Sequence, residues 1–183
     1  MSEKNLSCCF TGYRPSKFPF ALNKSDKEYL KFDNLLLKSL TSLIDSGCNK
    51  FYTGMAMGFD ILAAEAVVFL KDAFPQKDIK LVCVIPFENQ EQTFNFEWQI
   101  RYNNIIKNAD EKILLCKEYH KGCYQNRNVF MVDNSDYILT WYDGKQGGTR
   151  NTLKYAEKNL KYIININTNY TKEFDNPQFK IDL

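Results

Sequence analysis

The sequence predicts an α/β protein, built as a single three-layer domain around a mainly parallel sheet. Short apolar runs typical of buried strands alternate with longer segments whose apolar residues recur at helical spacing. The chain of 183 residues is 44% hydrophobic and 25% charged, which suits one sizeable core. No internal repeat or low-complexity linker divides it, so we expect the domain to cover residues 1–166 and a poorly ordered polar tail to cover residues 167–183.

The first half of the chain predicts two strands and two helices. Residues 6–10 form a short apolar run, as in a strand that is buried on both faces. Apolar residues at intervals of three and four predict a helix over 29–46, and Gly47 is a typical helix end. A second strand is expected at 50–53, before an alanine-rich helix over 60–70. Apolar residues surround most of that helix, which predicts deep burial.

The second half of the chain continues the alternation. Residues 79–85 form the clearest strand, which Pro86 ends. Residues 16–27 and 87–96 have no period, so we expect loops there. The remaining predicted elements are helices over 98–108, 124–134 and 149–160 and strands over 111–116, 137–142 and 162–166.

Four polar or glycine-bearing loops follow the carboxyl ends of predicted strands. They comprise residues 11–14, 53–60, 86–90 and 147–149. Parallel strands bring their carboxyl ends to one edge of a sheet, and ligands of open α/β sheets bind at that edge. We therefore expect these loops to meet in one site.

The loop over 53–60 leads from a predicted strand into a predicted helix. Gly54 and Gly58 have no β carbon, so a ligand can approach the backbone there, and the start of a helix near Asp60 suits a phosphate. The loop has neither the Gly-Lys-Ser/Thr of a P-loop nor a G-x-G-x-x-G fingerprint. A sterically tight turn is the alternative for the glycines. Asp60 is either a helix N-cap or a partner of ribose hydroxyls.

The loop over 147–149 opens another predicted helix. The N–H groups of Gly147 and Gly148 and the hydroxyl of Thr149 can bind an anionic oxygen. The alternative is a tight loop with an ordinary threonine N-cap. Arg14 has the geometry to bind a phosphate through two hydrogen bonds, or else is simply exposed beside Pro15.

Other residues near this edge also allow two interpretations. Arg127 and Asn128 begin a helix, where they border the site or form a solvated polar face. Trp141 or Tyr142 stacks on a base or, as is commoner for strand aromatics, belongs to the core. No motif places a serine or cysteine nucleophile beside the single His120, which argues against a catalytic triad.

The sequence also resembles a known superfamily. Thr53-Gly54-Met55-Ala56-Met57-Gly58-Phe59-Asp60 resembles the S-G-x-A-x-G-I-D signature of Smf/DprA proteins, and the wider pattern resembles the YpsA-type branch of the SLOG superfamily. The other matching motifs are Cys9-Phe10-Thr11-Gly12-Tyr13-Arg14-Pro15, Ile85-Pro86-Phe87-x-x-Gln90, Arg127-Asn128-x-x-Met131-Val132-Asp133 and Gly147-Gly148-Thr149. The resemblance implies a Rossmann-like fold and a nucleotide or a nucleotide-derived ligand.

The residues and the resemblance together predict one ligand site, with a nucleotide or an ADP-ribose-like metabolite as its ligand and no other cofactor. Its expected members are Thr11, Gly12, Arg14, Thr53, Gly54, Gly58, Asp60, Gly147, Gly148 and Thr149. A second group is expected beside them, namely Tyr13, Pro86, Gln90, Arg127 and Asn128.

Two functions are compatible with such a site. The first is a binding module that acts as a sensor or regulator. The second is hydrolysis of a nucleotide N-glycosidic bond, as in the LOG branch of the superfamily, whose motif resembles P-G-G-x-G-T-x-x-E. Thr152 stands where that glutamate would be, so the carboxylate that the reaction needs is missing there. Asp60 or Glu97 could substitute for it, but nothing in the sequence requires either.

A third function is DprA-like binding of single-stranded DNA, which requires a positive groove with stacking aromatic residues. The formal net charge of +2 indicates no strong electrostatic footprint, so we expect no nucleic-acid partner. The residues that would serve such binding are Tyr13, Arg14, Lys17, Phe18 and Phe20.

The six cysteines raise the question of a metal or a disulfide. The chain begins with no secretion signal and has no apolar run long enough to cross a membrane, so we expect a cytoplasmic protein with reduced thiols and no membrane partner. Cys8, Cys83 and Cys116 lie in apolar runs, where cysteine acts as a small hydrophobe. Cys116-x-x-x-His120-x-x-Cys123 matches no usual zinc spacing and lacks a fourth ligand, so we expect no metal. Self-association into a homo-oligomer stays open.

Overall fold

The structure is a computed structural model and describes residues 5–170. Within this range six strands alternate with five α-helices. The strands are β1 (Leu6–Gly12), β2 (Cys48–Thr53), β3 (Lys80–Ile85), β4 (Glu111–Leu114), β5 (Tyr137–Trp141) and β6 (Tyr162–Asn165). The helices are α1 (Lys27–Asp45), α2 (Phe59–Ala73), α3 (Phe96–Asn108), α4 (Cys123–Asp133) and α5 (Gly148–Lys158).

The six strands form one sheet in the order β4-β3-β2-β1-β5-β6, and every neighbouring pair is parallel. This confirms the Rossmann-like α/β class. From β1 the chain steps outward through β2 and β3 to β4, then returns to place β5 on the other side of β1. Helix α2 packs against α1 and α3, and α4 packs against α5. Right-handed crossovers put α1 to α3 on one face of the sheet and α4 and α5 on the other.

Helix α2 lies against the centre of the sheet. It contacts β1, β2 and β3, and its first two turns are buried, as its apolar composition predicts. Phe69 is the exception among the apolar residues that predicted deep burial: it is 61% exposed because it lies on the side of α2 that faces solvent. Backbone N–H of Phe59 donates to the carbonyl of Tyr13 at 3.0 Å, so the start of α2 is fastened to the loop after β1.

Several predicted boundaries shift because side chains cap the helices earlier. Helix α1 starts at Lys27 rather than at residue 29, since the Asp26 carboxylate accepts hydrogen bonds from the N–H groups of Glu28 and Tyr29. Helix α3 starts at Phe96 rather than at residue 98, since Asn95 caps it. The predicted loops also contain two short 3-10 turns, Pro15–Lys17 and Gln90–Thr93.

The strand β1 is longer than predicted, and the start of the predicted tail is packed. Thr11 and Gly12 pair with Thr140 and Trp141 of β5, so the strand continues into the predicted turn. Asn167 is buried and its side-chain amide donates to the carbonyl of Tyr142 at 3.2 Å, which contradicts a poorly ordered chain at that point. The rest of the predicted tail, 171–183, lies outside the described residues.

No helix formed by residues 5–170 combines the length and the apolar character that crossing a bilayer requires.

Candidate ligand-binding cleft

A cleft of about 210 Å³ opens beyond the carboxyl ends of the central strands. Strand β1 lies between β2 and β5, and the chain connections run in opposite directions on its two sides. In open α/β sheets this reversal leaves a crevice in which ligands bind. The cleft is lined by Thr11, Gly12, Tyr13, Arg14, Lys17, Ala56, Asp60, Tyr124, Arg127, Asn128, Gly148 and Thr149.

The cleft brings together nine of the residues that the sequence predicts for a site. These are Thr11, Gly12, Tyr13, Arg14, Asp60, Arg127, Asn128, Gly148 and Thr149. The other predicted residues do not line it, namely Thr53, Gly54, Gly58, Pro86, Gln90 and Gly147. Ligand contact stays a prediction for both groups of residues.

Gly54 lies beneath the cleft, against a buried arginine. Its carbonyl accepts a hydrogen bond from Nη1 of Arg127. A β carbon at Gly54 would lie 2.5 Å from Cζ of Arg127, so any side chain there would displace the guanidinium group. The close backbone approach that the sequence suggests is therefore made by an arginine of the protein itself.

Gly58 is required by the backbone and by packing. Its φ of 94° belongs to a region that L-residues rarely adopt, and a β carbon would collide with the carbonyl oxygen of Tyr13. The tight strand-to-helix turn, which was the alternative interpretation, accounts for this glycine.

Thr53 and Gln90 are also structural. The Thr53 hydroxyl donates to the carbonyl of Asp60 at 3.0 Å and accepts from the N–H of Met55 at 3.2 Å. The Gln90 amide is buried and donates to the carbonyl of Met55 at 3.5 Å. Both side chains hold the turn before α2 in place below the cleft.

Arg127 organises the floor of the cleft and is only 5% exposed. Its Nε donates to Oδ1 of Asn128 at 2.8 Å, and its Nη1 lies 4.0 Å from Oδ2 of Asp60. The Asn128 amide donates to the Thr152 hydroxyl at 2.8 Å, which in turn donates to the Gly148 carbonyl at 3.0 Å. One network thus connects α4, the first turn of α2 and the first turn of α5.

The cleft has more positive than negative groups. Burial raises the pKa of Asp60, while the guanidinium groups of Arg127 and Arg14 counter that effect. Burial lowers the pKa of Arg127 and Asp60 opposes this, but an arginine stays protonated at neutral pH. If Asp60 balances Arg127, the charges of Arg14 and Lys17 remain for a ligand.

The start of α5 adds to this positive character. No side chain caps α5 at Gly147, and its first turn contains no acidic residue. The Lys17 ammonium group lies 3.2 Å from where a β carbon of Gly147 would be. A β carbon at Gly148 would meet no atom within 4 Å, so the backbone of this residue is open to the cleft. The N–H groups and the dipole of the helix favour an anion here.

The hydroxyl groups of Thr149 and Tyr13 are hydrogen-bonded to other groups of the protein. The Thr149 hydroxyl donates to the carbonyl of Gly12 at 3.1 Å and so ties α5 to the end of β1. The Tyr13 hydroxyl donates to the carboxylate of Asp143, and burial raises the pKa of this tyrosine. Trp141 and Tyr142 are buried and pack edge-on against the Tyr13 ring, so they belong to the core.

The predicted members of the ligand site did not include Lys17, Ala56 and Tyr124, although Lys17 was named for DNA binding and Ala56 lies in the predicted loop over 53–60. Tyr124 is half-buried, with Cζ of Arg14 at 5.9 Å and Cζ of Arg127 at 5.8 Å from its ring centre. The sequence could have predicted Tyr124 as a site residue, because it lies three residues before Arg127 on a predicted helix and such residues share a helix face. Lys17 reaches the cleft through the 3-10 turn Pro15–Lys17, which the loop prediction did not include.

The positions that LOG-type hydrolysis would use hold no catalytic carboxylate pair. Thr152 is buried within the network of Asn128 and Gly148. Glu97 is exposed on α3 and does not line the cleft. Asp60 is the single carboxylate among the lining residues.

A second group of reactive side chains lies in the loop between β4 and α4. Sγ of Cys116, a ring nitrogen of His120 and Sγ of Cys123 all lie within 4.8 Å of one another, although their sequence spacing led us to expect no metal. The other four cysteines are buried and unpaired, which agrees with the prediction for Cys8 and Cys83. The same prediction was wrong for Cys116, which is only partly buried because β4 ends at Leu114, before this residue.

Comparison with known proteins identifies relatives over most of the chain. The family model YpsA, described as the YspA SLOG family, matches residues 8–173. A UPF0398 protein of Staphylococcus epidermidis is 33% identical over 88% of this chain and 83% of its own length. The SPbeta prophage-derived protein YoqJ of Bacillus subtilis is 32% identical over 70% of this chain and 82% of its own length. The UPF0398 protein YpsA of Bacillus subtilis is 30% identical over 81% of this chain and 82% of its own.

Solved structures of DNA processing protein A share the fold. The protein from Helicobacter pylori, described by its single-stranded DNA binding mode, superposes with a TM-score of 0.58 at 18% identity over 86% of this chain. The protein from Streptococcus pneumoniae gives a TM-score of 0.56 at 16% identity over 87% of this chain. This chain spans 63% and 49% of the lengths of those two proteins.

Proposed function

This chain belongs to the YpsA (YspA SLOG) family, and from that premise we propose that it is a binding module, a sensor or regulator, for a nucleotide or nucleotide-derived metabolite such as ADP-ribose. The cleft at the reversal of the sheet carries the proposal. It combines two arginines, one lysine and the uncapped start of α5 around a single buried carboxylate. Such a surface favours a phosphate-bearing ligand over a neutral or cationic one.

The expected pose follows from the groups that remain free to bind. The open backbone of Gly148 and the side chain of Arg14 are the expected phosphate contacts, since Arg127 is already hydrogen-bonded to Gly54 and Asn128. Sites for small molecules and cofactors usually measure about 300–1,000 Å³. A cleft of about 210 Å³ suits the phosphate and ribose of such a ligand, with its base outside, near the half-exposed ring of Tyr124.

Nucleotide hydrolysis has weaker support. Glycoside-type cleavage uses two carboxyl groups on either side of the scissile bond. Asp60 is the single carboxylate among the lining residues, and it lies 4.0 Å from a buried guanidinium group. We therefore expect binding without release of free base.

Single-stranded DNA is a second candidate because the solved relative from Helicobacter pylori binds it. Arg14, Lys17 and Tyr124 offer a few of the cationic and aromatic contacts that such binding requires. Phe18, however, stacks on Trp141 and is buried in the core, which removes one expected stacking platform. We rank this candidate below the metabolite.

Calorimetric titration with ADP-ribose, NAD, AMP, inorganic phosphate and a labelled oligonucleotide distinguishes these functions. We expect saturable binding of at least one phosphate-bearing metabolite and weaker, strongly salt-dependent binding of the oligonucleotide. Arg14→Gln should weaken metabolite binding by about tenfold to a hundredfold, since a hydrogen bond to a charged group contributes roughly 1.5–3 kcal/mol.

The matched control is Lys31→Gln, which removes an exposed positive charge on α1 outside the cleft. Equal loss of affinity in both variants would mean that only overall charge matters. Tight binding of the oligonucleotide with no binding of any small molecule would replace the proposal with the DNA-binding function.

A further inference from the structure

Among residues 5–170, one group of histidine and cysteine side chains brings three ligand atoms close enough to share a metal ion. We propose that Cys116, His120 and Cys123 form a zinc site, made by side chains that do not line the proposed nucleotide cleft. All three residues lie in the connection that leads from β4 to the first residue of α4.

The distances approach those of a tetrahedral site. Sγ of Cys116 lies 3.2 Å from Nε2 of His120, and all three ligand atoms lie within 4.8 Å of one another. With zinc–sulfur bonds of about 2.3 Å and zinc–nitrogen bonds of about 2.0–2.1 Å, tetrahedral ligands are about 3.5–3.8 Å apart. Movements of about 1 Å would bring the three ligand atoms to that spacing.

The hydrogen bonds around the group match what metal ligands require. Nδ1 of His120 lies 3.0 Å from the carbonyl of Lys121, which fixes the proton on Nδ1 and leaves the lone pair of Nε2 directed at Cys116. Metal-binding histidines commonly donate their second ring N–H to a backbone carbonyl in this way. The backbone N–H of His120 donates to Sγ of Cys123 at 2.9 Å, a contact that stabilises a thiolate.

The donor set favours zinc over magnesium and calcium. Two sulfur ligands and one imidazole suit zinc, whereas magnesium and calcium prefer oxygen. On binding, the two thiols lose their protons to the solvent, and the two thiolate charges neutralise the ion. His120 is exposed, so water completes the coordination at the fourth position, as in zinc sites that keep one exchangeable ligand.

The proposed zinc would fix the loop that supports one wall of the cleft. The Tyr119 ring lies within this loop and packs at 6.3 Å from the Tyr124 ring and at 5.3 Å from the Phe87 ring. Tyr124 follows Cys123 directly and lines the cleft. Closing the loop at Cys116 and Cys123 therefore restrains the start of α4.

Zinc binding is measured on the full chain, purified without a histidine tag and under reducing conditions, by competition with a chromogenic chelator. We expect one zinc per chain. Cobalt(II) should give the intense visible absorption of a tetrahedral site together with a thiolate-to-metal band. Cys116→Ser, Cys123→Ser and His120→Ala should each weaken zinc binding by at least about a hundredfold, since even indirect partners of metal ligands matter roughly 10–100-fold.

Two controls accompany these variants. Lys117→Ala changes an exposed residue of the same loop, and Cys48→Ala removes a buried thiol outside it, so neither should alter zinc binding. Cobalt spectra without a thiolate band, or equal zinc affinity in the ligand variants and the parent, would overturn the site. The site would also be overturned if Cys116 and Cys123 formed a disulfide and the protein took up no zinc after that disulfide was reduced.

Discussion

Arg127 shows how one residue organises the cleft from below. The sequence allowed Arg127 either to border the site or to belong to a solvated polar face. Its side chain lines the cleft, but it is buried and joined to Gly54, Asn128 and Asp60. Removing one member of a buried ion pair leaves the other charge unpaired, at a cost of about 3–5 kcal/mol. The main role of the Arg127 charge is therefore to stabilise the fold, and attraction of a ligand is its lesser role.

We expect Arg127→Met to lower the free energy of unfolding by about 3 kcal/mol or more, because Asp60 and the Gly54 carbonyl lose their partner. Arg14→Met, at the half-exposed arginine beside it, should change stability by less than about 1 kcal/mol. Urea denaturation of the two variants measures the difference. Similar stabilities would show that the Asp60–Arg127 pair does not support the fold, and the Asp60→Asn/Arg127→Met double variant should recover part of the loss.

The ionisation of Asp60, another single residue of the cleft, predicts how the stability of the protein depends on pH. Its pKa is raised in the folded protein by burial, against the influence of Arg127 and Arg14. A raised pKa stabilises the fold at pH values below the unfolded pKa of about 3.9, and this contribution is lost as the pH rises through the folded pKa. Asp60→Asn has no such loss, so its stability relative to the parent should increase as the pH rises from about 4.

Melting temperatures of parent and Asp60→Asn across this pH range measure that trend. If the variant instead loses stability relative to the parent as the pH rises, the arginines dominate over burial and the folded pKa lies below the unfolded one.

At the scale of elements, the turn from β2 to α2 depends on its glycines for packing. Gly58→Ala should lower the free energy of unfolding by about 3 kcal/mol, because the φ of 94° alone costs about 1–3 kcal/mol and the new β carbon collides with Tyr13. Gly122→Ala is the comparison for a positive φ alone, since Gly122 has a φ of 101° with a left-handed helical ψ of −10°, and no contact within 4 Å is found for the added carbon, whereas Gly58 has a ψ of −130°. Thermal denaturation compares them. Equal destabilisation would mean that neither the contact with Tyr13 nor the ψ of Gly58 adds to the cost of a positive φ.

Most strands and helices could be predicted from the sequence, because each has a clear apolar period. Boundaries were less predictable where a cap decides them, as with Asp26 before α1 and Asn95 before α3. The pairing of Thr11 and Gly12 with β5 also escaped prediction, since a strand's length depends on its neighbour across the sheet.

At the scale of the whole molecule, the meeting of the loops could be predicted but the strand order could not. Parallel strands guarantee that Arg14, Asp60 and Gly148 reach one edge, whereas the position of β5 beside β1 depends on tertiary packing. The sequence predicted Gly54 and Gly58 as ligand contacts because it does not show which parts of the protein pack against them. The arginine and the loop that fill the space beside them come from distant parts of the chain.

The central claim is that a phosphate group binds at the start of α5. The most direct test is calorimetric titration of ADP-ribose, or of the metabolite that binds best, into Gly148→Val. Apart from its chain neighbours and the backbone of α5, no atom lies within 4 Å of the position of a β carbon at Gly148, so we expect valine to occupy open space beside the cleft and the fold to be preserved. Gln146→Val, an exposed change in the same loop, is the control. We expect at least about a tenfold loss of affinity in Gly148→Val alone, equivalent to about 1.4 kcal/mol. A folded Gly148→Val protein that binds as tightly as the parent would contradict the claim.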